Sequence, residues 1–326
     1  MSKLVTIFGG SGFVGRYIVR RMALEGWRVR VATRRPNEAL FVRPCGKVGQ
    51  VEPVLCNIRD ENSVAGALQG ADAVVNCVGI LNETGANNFQ ALHVEGAERV
   101  ARLAARAGID RMVHISAVGA DLDAKSTYSR TKAQGEAAVL GHMPNAVILR
   151  PSVVFGAEDD FFNRFASMTR LGPVLPLAAA KTRFQPVFVD DLAKAAVYGV
   201  LGKANGIYEL GGPEVATLRE LVGQMLTVIH RRRVVLNLPN WMAAIMAFGF
   251  DMLQKMSLGL ISNGVLTRDQ LRGLGQDNVV SDGAMGFDDL GIAPVAMAAI
   301  LPDYLWRFRP SGQYDTIIQS AGTLGS

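Results

Sequence analysis

The sequence is poor in the residues that build metal sites. Its three cysteines, Cys45, Cys56 and Cys77, do not have the spacing of metal ligands. The four histidines form no ligand pattern either. An odd number of scattered cysteines is typical of reduced, mostly buried thiols in a reducing compartment. We therefore expect no metal centre.

Long apolar runs and concentrated charge are also missing. No uncharged run reaches 18 residues, which excludes a helix that spans a bilayer. The net charge of +5 is too dispersed to favour nucleic acid as a partner. The first strand is predicted to begin at residue 3, so we expect neither a signal peptide nor a transit peptide. With 49% hydrophobic and 19% charged residues, the chain has enough apolar side chains for a large folded core.

A glycine-rich turn near the N-terminus carries the strongest signal. Leu4 to Phe8 is an apolar run that predicts a buried strand, and Gly9, Gly12 and Gly15 follow it. The next residues, RYIVRRMALEG, have helical periodicity. A strand, a tight glycine turn and a helix direct backbone N–H groups at one point, which suits a pyrophosphate. The alternative is a glycine-rich turn with no ligand.

The end of the second predicted strand bears on the choice of dinucleotide. The strand Trp27 to Thr33 is followed by Arg34, Arg35 and Pro36, and no acidic residue occurs between Arg28 and Asn37. An acid at this place would bind the ribose 2′-hydroxyl of NAD, whereas an arginine accommodates the 2′-phosphate of NADP. We therefore predict NADPH, with Arg34 at its 2′-phosphate. The alternative is a solvated basic strand end.

Strands alternate with helices through the first two thirds of the chain, which predicts a doubly wound parallel α/β sheet of the Rossmann type. We expect residues 1–155 and 184–212 to form this dinucleotide-binding domain. Residues 156–183 and 213–326 should form a smaller, mainly helical C-terminal domain. The further strands are predicted at Val51–Asn57, Ala71–Val78, Arg111–Ser116, Ala146–Phe155, Val187–Asp191 and Ile207–Leu210, with a helix over Leu192–Leu201 and another after the capping-box residues Thr217 and Glu220.

The C-terminal third has a different pattern. A basic cluster, HRRR at 230–233, precedes a charge-free stretch from Val234 to Phe250. Trp241, Met242, Ile245 and further apolar residues to Leu260 predict a helix with a broad apolar face. Two interpretations are open: contact with a membrane surface, lipid or apolar partner through residues 230–262, or a methionine-rich core helix of the smaller domain.

Tyr128 and Lys132 form the spacing Y-x-x-x-K on a predicted helix, which places both side chains on one face. Together with the GGSGFVG turn and the RPSVVFG segment, this pair resembles the extended short-chain dehydrogenase/reductase family. The resemblance implies a tyrosine acid/base whose pKa the lysine depresses, and a Ser or Thr that polarises a substrate carbonyl. That hydroxyl is expected two residues beyond Ser116, where this sequence has Val118. We therefore expect Tyr128 and Lys132 to hold the nicotinamide ribose without catalysing a reaction.

Longer segments are similar to the family of NADPH-binding accessory subunits of respiratory complex I, NADH:ubiquinone oxidoreductase. They include SAVGADLDAKSTYSRTKAQGE, QPVFVDDLAKA and, as the most specific, FFNRFASMTRLGPVLPL. This resemblance implies a structural NADPH, other complex I subunits as partners and a place on the peripheral arm close to the membrane. We expect the cytoplasmic side of a bacterial inner membrane, or the matrix side in a mitochondrion. The alternatives are an active NADP-dependent reductase or epimerase and a soluble NADP-sensing protein.

The predicted nucleotide contacts follow the dinucleotide from end to end. The pyrophosphate should lie among residues of the glycine turn, and the 2′-phosphate should meet Arg34. Ile58 should border the adenine, residues after the fourth strand should line the adenosine and pyrophosphate side, and four further residues should border the nicotinamide riboside. In chain order the set is Gly9, Ser11, Gly12, Phe13, Val14, Arg34, Ile58, Val78, Gly79, Ile80, Ser116, Tyr128, Lys132 and Pro151.

Overall fold

A seven-stranded parallel sheet organises the structure, a computed structural model that describes residues 2–239, 241–242, 245 and 268–314. Its strands run in the spatial order β11-β6-β5-β4-β1-β2-β3, and every neighbouring pair is parallel. This arrangement confirms the predicted doubly wound α/β fold. The strands are β1 (Leu4–Phe8), β2 (Arg28–Thr33), β3 (Val51–Leu55), β4 (Ala73–Asn76), β5 (Met112–Ile115), β6 (Val147–Pro151) and β11 (Ile207–Leu210).

Helices cover both faces of the sheet. One face packs against α1 (Phe13–Leu24) and α6 (Val189–Val200), and the other against α2 (Glu61–Leu68), α3 (Glu95–Arg106) and α4 (Thr127–His142). Because side chains of a strand alternate between faces, Val5 and Ile7 of β1 pack on the first face and Phe8 on the second. The carboxyl ends of the strands, where the glycine turn lies, are the usual ligand edge of such a sheet.

The sixth predicted strand is wrong at its end. Instead of running to Phe155, the chain leaves the sheet after Pro151, and β7 (Val154–Phe155) pairs outside it with β10 (Val187–Phe188). The strand expected from Val187 to Asp191 therefore has only two residues, and α6 begins at Val189. Asp190 and Asp191 lie in the first turn of α6, where acidic side chains stabilise a helix N-terminus.

A smaller lobe has its own apolar cluster. This cluster joins α5 (Phe162–Met168), α7 (Leu218–Val228) and the helix Met297–Leu305 with β8 (Val174–Leu177). The predicted capping box is present at the start of α7, where Thr217 and Glu220 bind each other's backbone N–H groups. Phe287, Leu290 and Ile292 belong to the segment expected in the smaller domain, but they pack in the apolar cluster on the face of the sheet that α1 and α6 cover.

The charge-free stretch begins as a strand and not as a helix. β13 (Val234–Asn237) pairs in parallel with β8. Trp241, Met242 and Ile245 have helical backbone and exposed side chains, and the rest of the predicted helix to residue 262 lies outside the described residues. Arg231 and Arg233 donate to the carbonyl oxygens of Phe308 and Thr169, so both of these arginines tie the lobe together. Among the described helices, none combines the length and the hydropathy needed to cross a bilayer.

A buried hydrogen bond fastens the helix Met297–Leu305 to the loop after β7. The Tyr304 hydroxyl donates to the Asp159 carboxylate over 2.6 Å. Asp159 is 2% exposed and also accepts from the backbone N–H groups of Gly156 and Asn163. Burial raises the pKa of Asp159, because it disfavours the charged carboxylate. The hydrogen bonds that Asp159 accepts act in the opposite direction and help to keep it charged.

Replacing Tyr304 by Phe should lower the free energy of unfolding by about 1–3 kcal/mol, because a buried carboxylate loses one of its donors. Urea unfolding followed by circular dichroism measures the change. Tyr314→Phe is the matched control, because the Tyr314 side chain is 59% exposed. Equal stability of the Tyr304 variant and the wild-type chain would contradict the structural role of this bond.

Candidate nucleotide-binding site

The glycine turn brings β1 and α1 into close contact. Gly9 has φ +73°, a conformation that favours glycine, and its N–H donates to the Ala32 carbonyl of β2 over 3.1 Å. A Cβ on Gly15 would lie 2.3 Å from the Gly9 carbonyl oxygen and 2.6 Å from the Gly10 Cα. Gly12 is the N-cap of α1, and no side chain caps it. The first-turn N–H groups of α1, where Phe13 and Val14 lie, therefore have no intrahelical acceptors and suit an anion.

A cleft of about 370 Å³ lies beside the turn at the end of β2. Arg34 and Arg35 line it together with Ser11, whose hydroxyl donates to Thr33 Oγ1 over 3.2 Å. The remaining lining residues are Glu38, Ala39 and Phe41. The structure thus places the predicted Ser11 and Arg34 together, and no carboxylate intervenes at the strand end itself.

Three further contacts lie at or near this cleft, and the sequence pattern did not predict them. Arg34 donates from Nη1 to Asn87 Oδ1 over 3.0 Å, and the nearby Arg59 donates to the Ala86 carbonyl. Glu38 pairs with Arg35 at 3.2 Å, and both side chains are exposed. The turn around Asn87 therefore lies beside Arg34, while the only acid of the cleft is directed at the neighbouring arginine.

Two side chains accept hydrogen bonds from the backbone of the loop after β4. The Val78 N–H donates to Asn76 Oδ1, and the Ile80 N–H donates to His93 Nε2, both over 3.1 Å. Gly79 lies between Val78 and Ile80, and a Cβ on it would be 3.4 Å from Lys132 Nζ. The backbone at Gly79 is therefore close to the lysine. The structure thus places Val78, Gly79 and Ile80 next to the predicted nicotinamide residues.

Ile58 occupies a more buried place than its neighbours in the site. Its side chain is 6% exposed and lies in the cluster beneath α3, where a Cβ on Gly96 would come within 3.3 Å of Ile58 Cδ1. Arg99 donates to the Ile58 carbonyl. The residue therefore packs at the start of α3, where the sequence predicts the adenosine end of the nucleotide.

Tyr128 and Lys132 share one buried face of α4. Lys132 Nζ donates to the Ile115 carbonyl over 3.0 Å and lies 6.0 Å from the centre of the Tyr128 ring. Burial lowers the pKa of Lys132 to about 8, and burial raises the pKa of Tyr128 to about 12. The shift of the Tyr128 pKa is thus upward, opposite in direction to the depressed pKa that the family resemblance implies.

Ser116 lies where β5 leaves the sheet. Its side chain is buried, and its Oγ has no hydrogen-bond partner among the described residues. Val118, two residues further, is 7% exposed and donates its N–H to the carbonyl of Pro151. Neither Ala117 nor Val118 offers a hydroxyl to a substrate carbonyl. An unpartnered buried hydroxyl at Ser116 and a cradle of close-packed glycines both fit a bound dinucleotide.

His93 belongs to the site although no local pattern predicts it. Its ring stacks on Phe89 at 5.3 Å and meets the Tyr128 ring edge-on at 5.4 Å. Burial, with a smaller contribution from Lys132, lowers its pKa to about 3. Since Nε2 accepts the Ile80 N–H, we assign the ring proton to Nδ1, which then donates to Thr131 Oγ1 at 3.2 Å.

A second buried histidine extends this network under the sheet. Asn76 Nδ2 lies 3.2 Å from His114 Nδ1, and His114 Nε2 has no partner within the part of the chain that the structure describes. Burial, again with a smaller contribution from Lys132, lowers the pKa of His114 to about 3. Both histidines are therefore neutral in the folded state and accept N–H groups near the cofactor edge of β4.

Comparisons with known proteins agree with this geometry. The family model described as "NAD dependent epimerase/dehydratase family" matches residues 5–211. The chain is 34% identical to the NADH dehydrogenase (ubiquinone) 1 alpha subcomplex subunit 9, mitochondrial, of Arabidopsis thaliana, covering 95% of this chain and 79% of that protein. It is 29% identical to the NADH-ubiquinone oxidoreductase 40 kDa subunit, mitochondrial, of Neurospora crassa, covering 95% and 80%.

Solved structures share the fold. The NADPH-dependent quinone oxidoreductase QOR2 from Escherichia coli, crystallised with NADPH, has a TM-score of 0.69 and 17% sequence identity, covering 92% of this chain and 98% of that chain. At this identity, the likeness shows a common architecture.

The two neutral histidines predict a loss of stability on acidification. In the unfolded chain they take up protons below about pH 6.5, whereas in the folded state they do so only near pH 3. The unfolded state therefore binds more protons between these values, and stability falls as the pH falls. His114→Gln should remove up to about 2 kcal/mol of the loss between pH 6.5 and pH 5, measured by urea unfolding at both pH values.

The control for this prediction is the same variant compared at about pH 7.5 and about pH 8.5. His114 takes up no proton in this range in the folded or the unfolded chain, so the variant should not alter the difference between these two pH values. An identical acid sensitivity in the His114 variant and the wild-type chain would contradict a buried, neutral imidazole at this position.

Proposed function

We propose that this chain, which belongs to the NAD dependent epimerase/dehydratase family and is related over 95% of its length to an NADH dehydrogenase subunit, is an accessory subunit of respiratory complex I that holds NADPH. The observation that carries the proposal is the 34% identity to the Arabidopsis thaliana subunit over 316 residues. At that coverage, the relationship includes both the sheet and the smaller lobe. Its partners are then the other subunits of complex I.

The choice of NADPH is supported by the end of β2. Arg34 and Arg35 line the cleft there, and the strand end lacks the acid that binds an unphosphorylated ribose. Guanidinium groups donate paired hydrogen bonds to phosphate oxygens, so Arg34 would bind the 2′-phosphate. Ser11, which lines the same cleft, would contribute a hydroxyl.

The rest of the nucleotide would lie along the carboxyl ends of the strands. The glycine turn and the first turn of α1, with Gly9, Ser11, Gly12, Phe13 and Val14, would bind the pyrophosphate, and Ile58 would border the adenine. The loop Val78–Ile80 would follow the adenosine and pyrophosphate side. A bound NADPH supplies a hydride in the enzymes of this family. Here the residues that would border its nicotinamide riboside are Ser116, Tyr128, Lys132 and Pro151.

A structural role for the nucleotide is supported by the nicotinamide end. The pKa of Tyr128 is raised to about 12, and the residues after Ser116 provide no hydroxyl for a carbonyl substrate. Loss of one oriented donor of this kind costs about 10²–10³ in rate. These features support the active reductase or epimerase less than a subunit that uses Tyr128 and Lys132 to hold the ribose.

Contact with the membrane surface through residues 230–262 is supported by exposed apolar side chains. Trp241 is 65% exposed and Ile245 is 62% exposed, and Val234 and Leu236 of β13 are exposed as well. Arg232 is also exposed between the two arginines that tie the lobe. Aromatic and basic side chains together favour a lipid interface. We place the chain peripherally at the membrane that carries complex I, facing the cytoplasm in a bacterium or the matrix in a mitochondrion.

Arg34→Glu should weaken NADPH binding about tenfold or more, because a charge-assisted contact to the 2′-phosphate is replaced by repulsion. Isothermal titration calorimetry measures the dissociation constant. The variant should also lose most of the rise in melting temperature that NADPH gives the wild-type chain, since a ligand stabilises the folded state that binds it.

Arg28→Glu is the matched control, because Arg28 is an exposed arginine at the opposite end of the same strand. It should bind NADPH as the wild-type chain does. Equal affinity for NADPH in the Arg34 variant would overturn the assignment of the 2′-phosphate site, and wild-type affinity for NADH equal to that for NADPH would overturn the choice of cofactor.

In its native source, the chain should sediment with membranes and co-purify with the other complex I subunits after mild detergent extraction. Mass spectrometry of the complex separated by native electrophoresis identifies them. Recovery only as a soluble single chain would contradict the proposal and favour a soluble NADP sensor. Steady oxidation of NADPH by the purified chain with added carbonyl compounds would favour the active reductase.

A further inference from the structure

The C-terminal part of the chain reaches the helix that carries Tyr128. In the short helix Arg268–Gly273, the Asp269 carboxylate lies at the N-terminus of α4. It accepts hydrogen bonds from the Ser126 hydroxyl over 2.9 Å and from the backbone N–H groups of Thr127 over 2.7 Å and Tyr128 over 3.0 Å. A residue more than 140 positions away thus supplies the acceptors that the first turn of α4 cannot provide itself.

The chain continues from Asp269 across the ends of β5 and β6. Residues 269–281, which we call the strap, are bound along their length to both lobes. On the smaller lobe, Thr182 Oγ1 donates to the Leu274 carbonyl over 2.6 Å, and Arg183 pairs with Asp277 at 2.8 Å. Near the sheet, Asn278 Nδ2 donates to the Val118 carbonyl over 3.3 Å.

The middle of the strap is fixed most firmly at Asn278. The Ser152 hydroxyl lies 2.7 Å from both the carbonyl and the side-chain oxygen of Asn278, and it accepts from the Gln185 N–H. Ser152 is 4% exposed. Asn278 therefore joins the points where β5 and β6 leave the sheet, next to Ser116 and Pro151.

Asp269 and Asn278 of the strap bind on either side of the place proposed for the nicotinamide. Asp269 binds the turn that contains Tyr128, and Asn278 binds the segment that follows Ser116. A carboxylate at a helix N-terminus is favourable both as an acceptor and through the helix dipole. Without Asp269, the N–H groups of Thr127 and Tyr128 would lose their acceptor, and the start of α4 would be less well fixed.

We propose that Asp269 is a positioning residue of the nicotinamide end, so that binding of NADPH and docking of the strap stabilise each other. This rests on the proposed function, because it concerns the same nucleotide site. Coupling of this kind is reciprocal: whatever the strap adds to nucleotide affinity, the nucleotide adds to docking of the strap.

The test compares two ligands in the full chain. NADPH reaches the nicotinamide end, whereas adenosine 2′,5′-bisphosphate has the 2′-phosphate but no nicotinamide riboside. Asp269→Asn keeps the shape of the side chain and removes its charge. It should raise the dissociation constant of NADPH about fivefold or more and leave that of adenosine 2′,5′-bisphosphate unchanged. Asp282→Asn, an exposed acid just beyond the strap, should change neither constant.

Hydrogen exchange measured by mass spectrometry provides a second readout that a purely structural role would not change. In the wild-type chain, NADPH should slow exchange in peptides covering residues 126–132 and 269–281, and the bisphosphate should not. In Asp269→Asn the effect of NADPH on the strap peptide should be lost. Asn278→Ala, which removes the side-chain contacts of the strap with Val118 and Ser152, should weaken NADPH selectively in the same way and serves if the Asp269 variant does not fold.

Each remaining outcome contradicts the coupling. Wild-type affinity for NADPH in both variants, an equal loss of both ligands, or exchange in the strap that NADPH does not alter would each overturn it. If Arg34→Glu still weakens NADPH in that case, the proposed nucleotide function stands and only the coupling fails. If the wild-type chain does not bind NADPH, the proposed function and the coupling fail together.

Discussion

The close approach of α1 to the end of β1 is the constraint on which the rest of the site depends. Gly15 lies so close to the Gly9 carbonyl that a Cβ would be 2.3 Å from that oxygen, and this close approach allows α1 to begin at Phe13, directly after its N-cap Gly12. The start of α1 in turn fixes the position of its first-turn N–H groups, which have no acceptors within the helix and face the edge of the sheet. Since the ends of parallel strands meet at one edge, the loop after β4 and the start of α4 face the same place. A binding edge for a dinucleotide therefore arises from backbone packing before any side chain is considered.

Features encoded within a few residues could be predicted from the sequence. The glycine turn, the order of strands and helices and the capping box at Thr217 and Glu220 are of this kind, and the structure has them. Arg34 was predicted at the 2′-phosphate and Ser11 at the pyrophosphate, and the structure has both side chains lining one cleft. The contact of Arg34 with Asn87, by contrast, joins residues 53 positions apart, and no local pattern indicates it. The end of β6 was predicted wrongly, because an apolar, β-branched segment resembles one continuous strand. The path of the chain there depends on the hydrogen bond between Ser152 and the distant Asn278.

Buried polar groups were the hardest part of the site to predict. His93 and His114 lie in apolar stretches where a histidine has no periodic signal, yet each binds groups next to the loop after β4. Their role depends on exclusion of water, which lowers their pKa values to about 3, and only the packed structure reveals such exclusion. Burial also raises the pKa of Tyr128 and lowers the pKa of Lys132, and in both residues it favours the neutral form. A tyrosine and lysine pair is thus visible in the sequence, but its protonation is a property of the fold.

The strap bears on the proposal that the site holds a nucleotide without turning it over. In a turnover enzyme the region beyond Ser116 must admit and release a substrate, so attachments that close it would slow the reaction. Here Asn278 binds the Val118 carbonyl, and Asp269 binds the first turn of α4, so both sides of that region are joined to one continuous segment. A chain under selection for a permanent complex gains from such attachments, because each one adds to the stability of the bound state. Under the proposed function, the strap and the lack of a hydroxyl at position 118 both fit a nucleotide that is held and not turned over.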